Sequence, residues 1–266
     1  MGRTALLVEF DGSRFHGWQR QVGDATVQEA LEDALSAVAD RPVRVTAAGR
    51  TDAGVHALGM VAHFDPPVAR PARAWVRGTN AHLPPGAAVL EAQPVPAAFD
   101  ARRQALARTY LYRILNRPAR PALEAGRMTW GPEPLDPEAM AEGARALVGR
   151  HDFSAFRASG CQAAHAVREV QRLAVEASGA EVRVAIRANA FLYNMVRIIV
   201  GSLLEVGKGR QPPEWVAEVL AGGDRDRSGP TARPDGLYFA AVHYPSELGA
   251  PAPPPGGPGG FAPAAF

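Results

Sequence analysis

The chain has 266 residues, 47% of them hydrophobic and 21% charged, so it can bury one large core or two modest ones. Cys161 is its only cysteine, which excludes an internal disulfide and a cysteine-rich zinc site, and no apolar run reaches the ~18 to 20 residues that span a bilayer. The formal net charge is only +2, but Lys208 is the only lysine among 29 basic residues, and the arginines are unevenly spread.

Residues 3–10 alternate as a strand does. The start lacks the basic region and small-residue cleavage site of a signal peptide, so the cytoplasm is the expected compartment. Asp11, Gly12 and Ser13 signal a turn. Thr26 and Glu29 form a capping-box pattern, with the Thr hydroxyl accepting from the first turn and Glu29 reaching back. Val27, Leu31, Ala34 and Val38 follow at helical spacing up to Pro42. Residues 43–47 alternate as a half-buried strand, 49–56 form a loop with two glycines, and 60–64 form another strand. A helix over 72–82 ends at Leu83, Pro84, Pro85 and Gly86, and a strand follows over 89–95.

The second half repeats this order. Residues 107–115 read as a strand with Tyr110, Tyr112 and Ile114 on one face, and 118–134 as a Pro-rich loop. A helix over 136–148 precedes a hairpin, 167–177 and 181–188, across Ser178, Gly179 and Ala180. Helices over 190–206 and 213–221 lead to a final strand over 237–244. The order predicts an α+β protein of two similar units.

Three features carry chemistry. Arg102, Arg103, Arg108, Arg113, Arg117, Arg120 and Arg127 face a single acid, Glu124, in one stretch that also holds Tyr110 and Tyr112. Cations for phosphate beside aromatic faces for bases suit an RNA contact surface, and a solvated arginine face is the alternative. Next, the helix over 190–206 is apolar all round, which predicts burial, yet it carries Arg197. Burying an unpaired guanidinium costs several kcal/mol, so Arg197 needs an anion, either a structural partner or a catalytic carboxylate. Finally, Gly49, Arg50, Thr51, Asp52, Ala53 and Gly54 place an acid between glycines after a strand, where a large substrate can approach the backbone. Spacing alone reads equally as a simple turn.

The run Gly49, Arg50, Thr51, Asp52, Ala53, Gly54, Val55, His56, Ala57 resembles the signature of the TruA family of tRNA pseudouridine synthases. Further segments match in order: Phe10 to Ser13, Gly17 to Gln19, Thr26 to Gln28, Arg108 to Tyr112, His151 to Phe156, Asn189 to Phe191, Met195 to Gly201, and Gly236 to Tyr238. The likeness covers about residues 3–245. Thr109 and Leu111 stand where relatives often have basic residues, and the block at Asp100 and Arg103 also departs from the pattern. With the element order, the resemblance implies an α+β fold of two RRM-like or ferredoxin-like α/β subdomains, 1–104 and 105–247. These would form a continuous, mainly antiparallel sheet with a central active-site cleft, followed by a disordered Pro/Gly-rich tail, 248–266.

The resemblance makes Asp52 the catalytic carboxylate, Arg197 its basic partner, Tyr110 the aromatic against the target base, and Arg50 the cation that displaces and holds the nucleotide. Arg14, Gln19, Arg20, Arg102 and Arg108 are the further expected RNA contacts. The implied reaction is isomerisation of uridine to pseudouridine at positions 38, 39 and 40 of the tRNA anticodon stem-loop, by a homodimer with no membrane association. It needs no cofactor or metal. In keeping with that, no Gly-x-Gly-x-x-Gly follows a strand, 201–208 fails as a phosphate loop, and His56 and His63 read as ordinary histidines. Two other readings are a non-catalytic RNA-binding module of the same fold and a carboxylate-based nucleoside hydrolase. The hydrolase would need a second acid, for which only Glu9 and Asp11 offer themselves.

Overall fold

A computed structural model describes residues 2–253, 261, 262 and 266. The chain forms two compact units, Met1–Arg108 with Tyr238–Ala265, and Thr109–Leu237 with Phe266.

The first unit begins with β1 (Arg3–Phe10), α1 (Val27–Ala39), β2 (Thr46–Ala47), β3 (His56–Phe64), α2 (Ala72–His82) and β4 (Ala87–Val95). β1 lies between β3 and β4, antiparallel to both, with Leu6 opposite Ala62 and Ala92. It is buried along most of its length, as a central strand of apolar residues requires. α1 and α2 cover the sheet with Leu31, Leu35 and Trp75, and Trp75 meets Phe64 edge to face at 5.0 Å. The bounds of α2 match those expected, because Pro71 precedes it and Leu83 leads into two prolines.

Two local expectations fail here. Thr26 makes no capping hydrogen bond, and its buried hydroxyl has no partner among the described residues. The Val27 and Gln28 amides donate instead to the carbonyls of Gly17 and Trp18. Glu29 turns to Arg20 at 3.1 Å and does not reach back. The strand expected over 43–47 shrinks to Thr46–Ala47, although Val43 and Val45 are buried as its alternation requires. The Val43 and Val45 amides are taken by α1 side chains, Ser36 Oγ at 2.9 Å and Glu32 Oε1 at 3.1 Å, which replaces a longer ladder.

The second unit holds β5 (Ala107–Asn116), β6 (Thr129–Gly131), α3 (Pro137–Arg145), β7 (Gly149–Asp152), β8 (Val167–Ser178), β9 (Glu181–Ala188), α4 (Met195–Gly207) and α5 (Trp215–Gly222). Its strands run β5, β9, β8, β7, with β6 parallel to β5. Asp136 caps α3 by accepting from the Glu138 and Ala139 amides, with Pro137 in the first turn. β6 and β7 are too short for periodicity to reveal. α4 is apolar all round and mostly buried, but it starts at Met195 and not at residue 190. Asn194 has a left-handed backbone, φ 57°, which cannot continue a helix.

The last strand, β10 (Leu237–His243), returns to the first unit, where Tyr238 and Phe239 lie parallel to His56 and Ala57 of β3. Chain order alone had placed it in the second unit. The expected α+β class with mainly antiparallel sheets is borne out. The expected tail, 248–266, falls partly outside the described residues, and of those described Pro251 and Pro253 are buried. No helix among the described residues is long and apolar enough to cross a membrane.

Candidate active site

Asp52 lies half-buried in the loop between β2 and β3. The loop folds back on itself, the Val55 amide donating to the Asp52 carbonyl at 3.1 Å, and Gly54 takes φ 81°. The antiparallel pairing of Phe10 with Ala57 brings the segment after β1 against this loop. Contact there is tight. A Cβ on Gly12 would run into the Val55 carbonyl, and one on Gly17, φ 85°, would sit 2.6 Å from the Thr51 carbonyl oxygen. The Trp18 amide donates to that same oxygen at 3.0 Å. Glycine at 12 and 17 is thus a packing requirement of the Asp52 loop.

His56 closes the other end. The Gly12 amide donates to its Nδ1 at 3.0 Å, so Nδ1 accepts and the neutral ring carries its proton on Nε2. Asp11 Oδ1 also lies 3.3 Å from Nδ1, but a nitrogen that accepts from Gly12 cannot donate to Asp11 as well. Of the two contacts, the amide bond is the satisfied one. The ring of Tyr238 stacks on His56 at 4.7 Å, and Phe239 packs against Gly49 at the root of the loop. Arg108 fastens that root from outside, giving Nη2 to the Ala48 carbonyl at 3.0 Å and to the Arg102 carbonyl at 2.8 Å.

Arg50 is exposed and makes no hydrogen bond or ion pair among the described residues. Arg14, Gln19 and Arg102 are also exposed, and Gln19 donates to Gln28. Arg20 is engaged by acids, Glu29 at 3.1 Å and Glu32 at 3.4 Å. Glu32 gave no signal in the sequence beyond its place in a helix. It is only 2% exposed and also takes Arg44 at 2.6 Å, so Arg20 helps satisfy a buried carboxylate.

The second unit carries Tyr110 and Arg197. Tyr110 is half-buried and meets Phe191 edge to face at 4.9 Å. Arg197 is half-buried rather than buried. Its Nε donates to the Ala232 carbonyl at 2.7 Å and its Nη1 to Asn194 Oδ1 at 2.9 Å, while its own carbonyl accepts from the Ala232 amide. A cation in the first turn of a helix opposes the helix dipole, and these acceptors offset that. Phe191 belongs to one of the matched segments and Asn194 lies between two of them, but their contacts to Tyr110 and Arg197 depend on the turn at 189–194 and have no periodic signal.

Tyr112 corrects the expected aromatic face. It is fully buried, its hydroxyl bonded to Thr129 Oγ1 at 2.6 Å and to the Arg233 carbonyl at 2.8 Å, and burial pushes its pKa well above that of a free phenol. No base can stack on it. Arg113 leaves the basic surface too, because it is buried against Glu181 at 2.7 Å and Glu124 at 3.6 Å.

The profile of the tRNA pseudouridine synthase family matches residues 6–102 and 144–245. The chain belongs to that family. It is accordingly an enzyme of the isomerase class. Relatives named tRNA pseudouridine synthase A are 54% identical in Nitrosococcus oceani and 50% in Methylibium petroleiphilum, each over 249 residues, or 94% of this chain and 96% of the relative. One from Dechloromonas aromatica is 52% identical over 251 residues, with the same coverage. The Asp52 loop, the 11–18 segment packed on it, and α4 all fall within the matched regions.

Proposed function

We propose that the protein isomerises uridine to pseudouridine in tRNA, at positions 38, 39 and 40 of the anticodon stem-loop, with Asp52 as the catalytic carboxylate. The observation that carries this reading is the Asp52 loop itself, a half-buried acid fixed by Gly12, Gly17, Trp18 and His56 within a region matched by the family profile. In the reaction the bond from C1′ to N1 breaks, the uracil turns, a bond forms between C1′ and C5, the C5 proton leaves to solvent and N1 takes a proton up. Nothing is oxidised and no group is donated. The base must first leave its stack, at a cost of roughly a few kcal/mol. Arg50, exposed and without a partner among the described residues, is suited to the vacated space, and Tyr110, braced by Phe191, to the face of the uracil. Arg197 is the cation that favours an ionised Asp52, and that carboxylate stabilises positive charge developing on the sugar. Whether it attacks C1′ or C6 or takes the 2′ proton, the ionised form is required.

The protein acts as a cytoplasmic homodimer in this reading, and sedimentation at working concentration should then give twice 28.2 kDa. The chemistry is tested by tritium release from C5-labelled uridine in tRNA. Asp52→Asn and Asp52→Ala should lose conversion by at least three orders of magnitude (about 4 kcal/mol) while binding tRNA nearly as wild type does. Substantial release by either variant would defeat the assignment, and mapping the modified uridines tests the positions.

A further inference from the structure

A groove of about 610 Å³ on the first unit is lined by Val38 of α1 and by Arg70, Arg73, Ala74, Arg77, Gly78 and His82 on and beside α2. None of these residues belongs to the Asp52 loop. Arg70, Arg73, Arg77 and His82 are all exposed, and none makes a hydrogen bond or ion pair among the described residues. That sets them apart from Arg3, Arg113 and Arg210, which hold Asp65, Glu181 and Glu133 at 2.8, 2.7 and 2.6 Å.

The placement works against the helix. α2 contains no acid. Arg70 and Arg73 crowd its N-terminus, where the helix dipole disfavours cations, and Arg73 and Arg77 are like charges four residues apart. Each effect costs a few tenths of a kcal/mol, and no acid among the described residues pairs with these arginines to offset it. An anion in the groove would. Positions 73 and 77 share one helix face, with side-chain stems roughly 5 to 6 Å apart along it, and Arg70, just before the helix, lines the same groove. Val38, Ala74 and Gly78 supply a small apolar floor that ribose could lie against.

We infer that this groove binds the phosphate backbone of the tRNA substrate outside the anticodon stem-loop, as a sequence-independent second contact. The inference rests on the proposed action on tRNA. Three or four cations on one face read backbone and not bases, so the groove adds affinity and register without choosing a uridine.

The test is a salt series of full-length tRNA binding by wild type, the triple variant Arg70→Gln, Arg73→Gln, Arg77→Gln, and a control with the same charge loss at exposed sites, Arg41→Gln, Arg145→Gln, Arg227→Gln. The groove variant should bind at least tenfold more weakly at low salt, with the slope of log affinity against log salt shallower by about 2 to 3. The control should stay within about twofold. In tritium release the groove variant should show a raised KM and an unchanged kcat. The triple Arg→Lys variant at the same positions, which keeps the charge, should keep the salt slope. Equal behaviour of the groove variant and the control overturns the proposal, as does a groove variant that binds like wild type. Should wild type release no tritium, the functional reading fails, while the binding series still scores the groove.

Discussion

Arg197 holds a structural place besides the role proposed for it. Its guanidinium joins Asn194 at the start of α4 to Ala232, which lies 35 residues after Arg197, so removing it strands two acceptors. Arg197→Met should cost about 1 to 3 kcal/mol in chemical denaturation and lower tritium release as well. Arg197→Lys should restore charge but not the forked geometry, and recover activity only in part. A methionine variant with wild-type stability and rate would leave Arg197 without either role. His63 makes a different point. Its Nδ1 accepts from the Ala101 amide at 3.1 Å, and burial, helped by the nearby charge of Arg3, lowers its pKa below 6.5. The neutral ring is the folded form, so this contribution is full above about pH 6.5 and is lost as pH falls through the lowered folded value. Thermal melts from pH 7.5 to 5 should show falling stability, and His63→Gln should flatten that part of the curve. An unchanged curve would refute the assignment. At this scale the sequence made Asp52 and Arg197 conspicuous, one by its glycines and one by its apolar helix. It could not show that Tyr112 is buried or that Arg20 serves Glu32, since both depend on distant partners.

Among the elements, those with strong local punctuation were legible. Prolines bracket α2, Asp136 and Pro137 open α3, and the hairpin of β8 and β9 turns at Ser178 to Ala180. The start of α4 was not legible, because apolar periodicity runs straight through residues 190–194 while the backbone does not. Asn194 decides it, and that supports a prediction. Asn194→Gly keeps a residue at ease at φ 57° but removes the acceptor for Arg197, so it should cost only that hydrogen bond, about 1 kcal/mol, while kcat falls. Asn194→Ala adds the left-handed penalty, about 1 to 2 kcal/mol, and should lose stability as well. Equal melting temperatures for the two would show that the backbone conformation matters less than the side chain. The failed capping box at Thr26 has a related cause. The Gln28 amide, one of the two that the Thr26 hydroxyl could have served, is taken by the Trp18 carbonyl, and Glu29 is drawn to Arg20.

In the whole molecule, the contact that no local pattern reveals is the return of β10. Phe239 is fully buried and packs on Gly49, 190 residues earlier, at the root of the Asp52 loop. Phe239→Ala should destabilise the protein by about 3 to 5 kcal/mol in urea titration and depress turnover at temperatures where it is still folded. A variant that melts normally would mean that the loop does not depend on the chain's far end. Strand and helix types follow from nearby residues, whereas the assignment of the last strand to the first unit needs the closure of a very long loop.

That closure has a consequence on the ribosome. The Asp52 loop and its flanking strands emerge well before Tyr238 and Phe239, which stack on His56 and pack on Gly49. At about 5 to 20 residues per second, some ten to thirty seconds separate the synthesis of β3 from that of β10. Throughout that interval the nascent first unit lacks a strand and presents an unpaired edge where β10 will dock. A chain stalled or truncated before β10 therefore has the Asp52 carboxylate but not the packing that supports its loop.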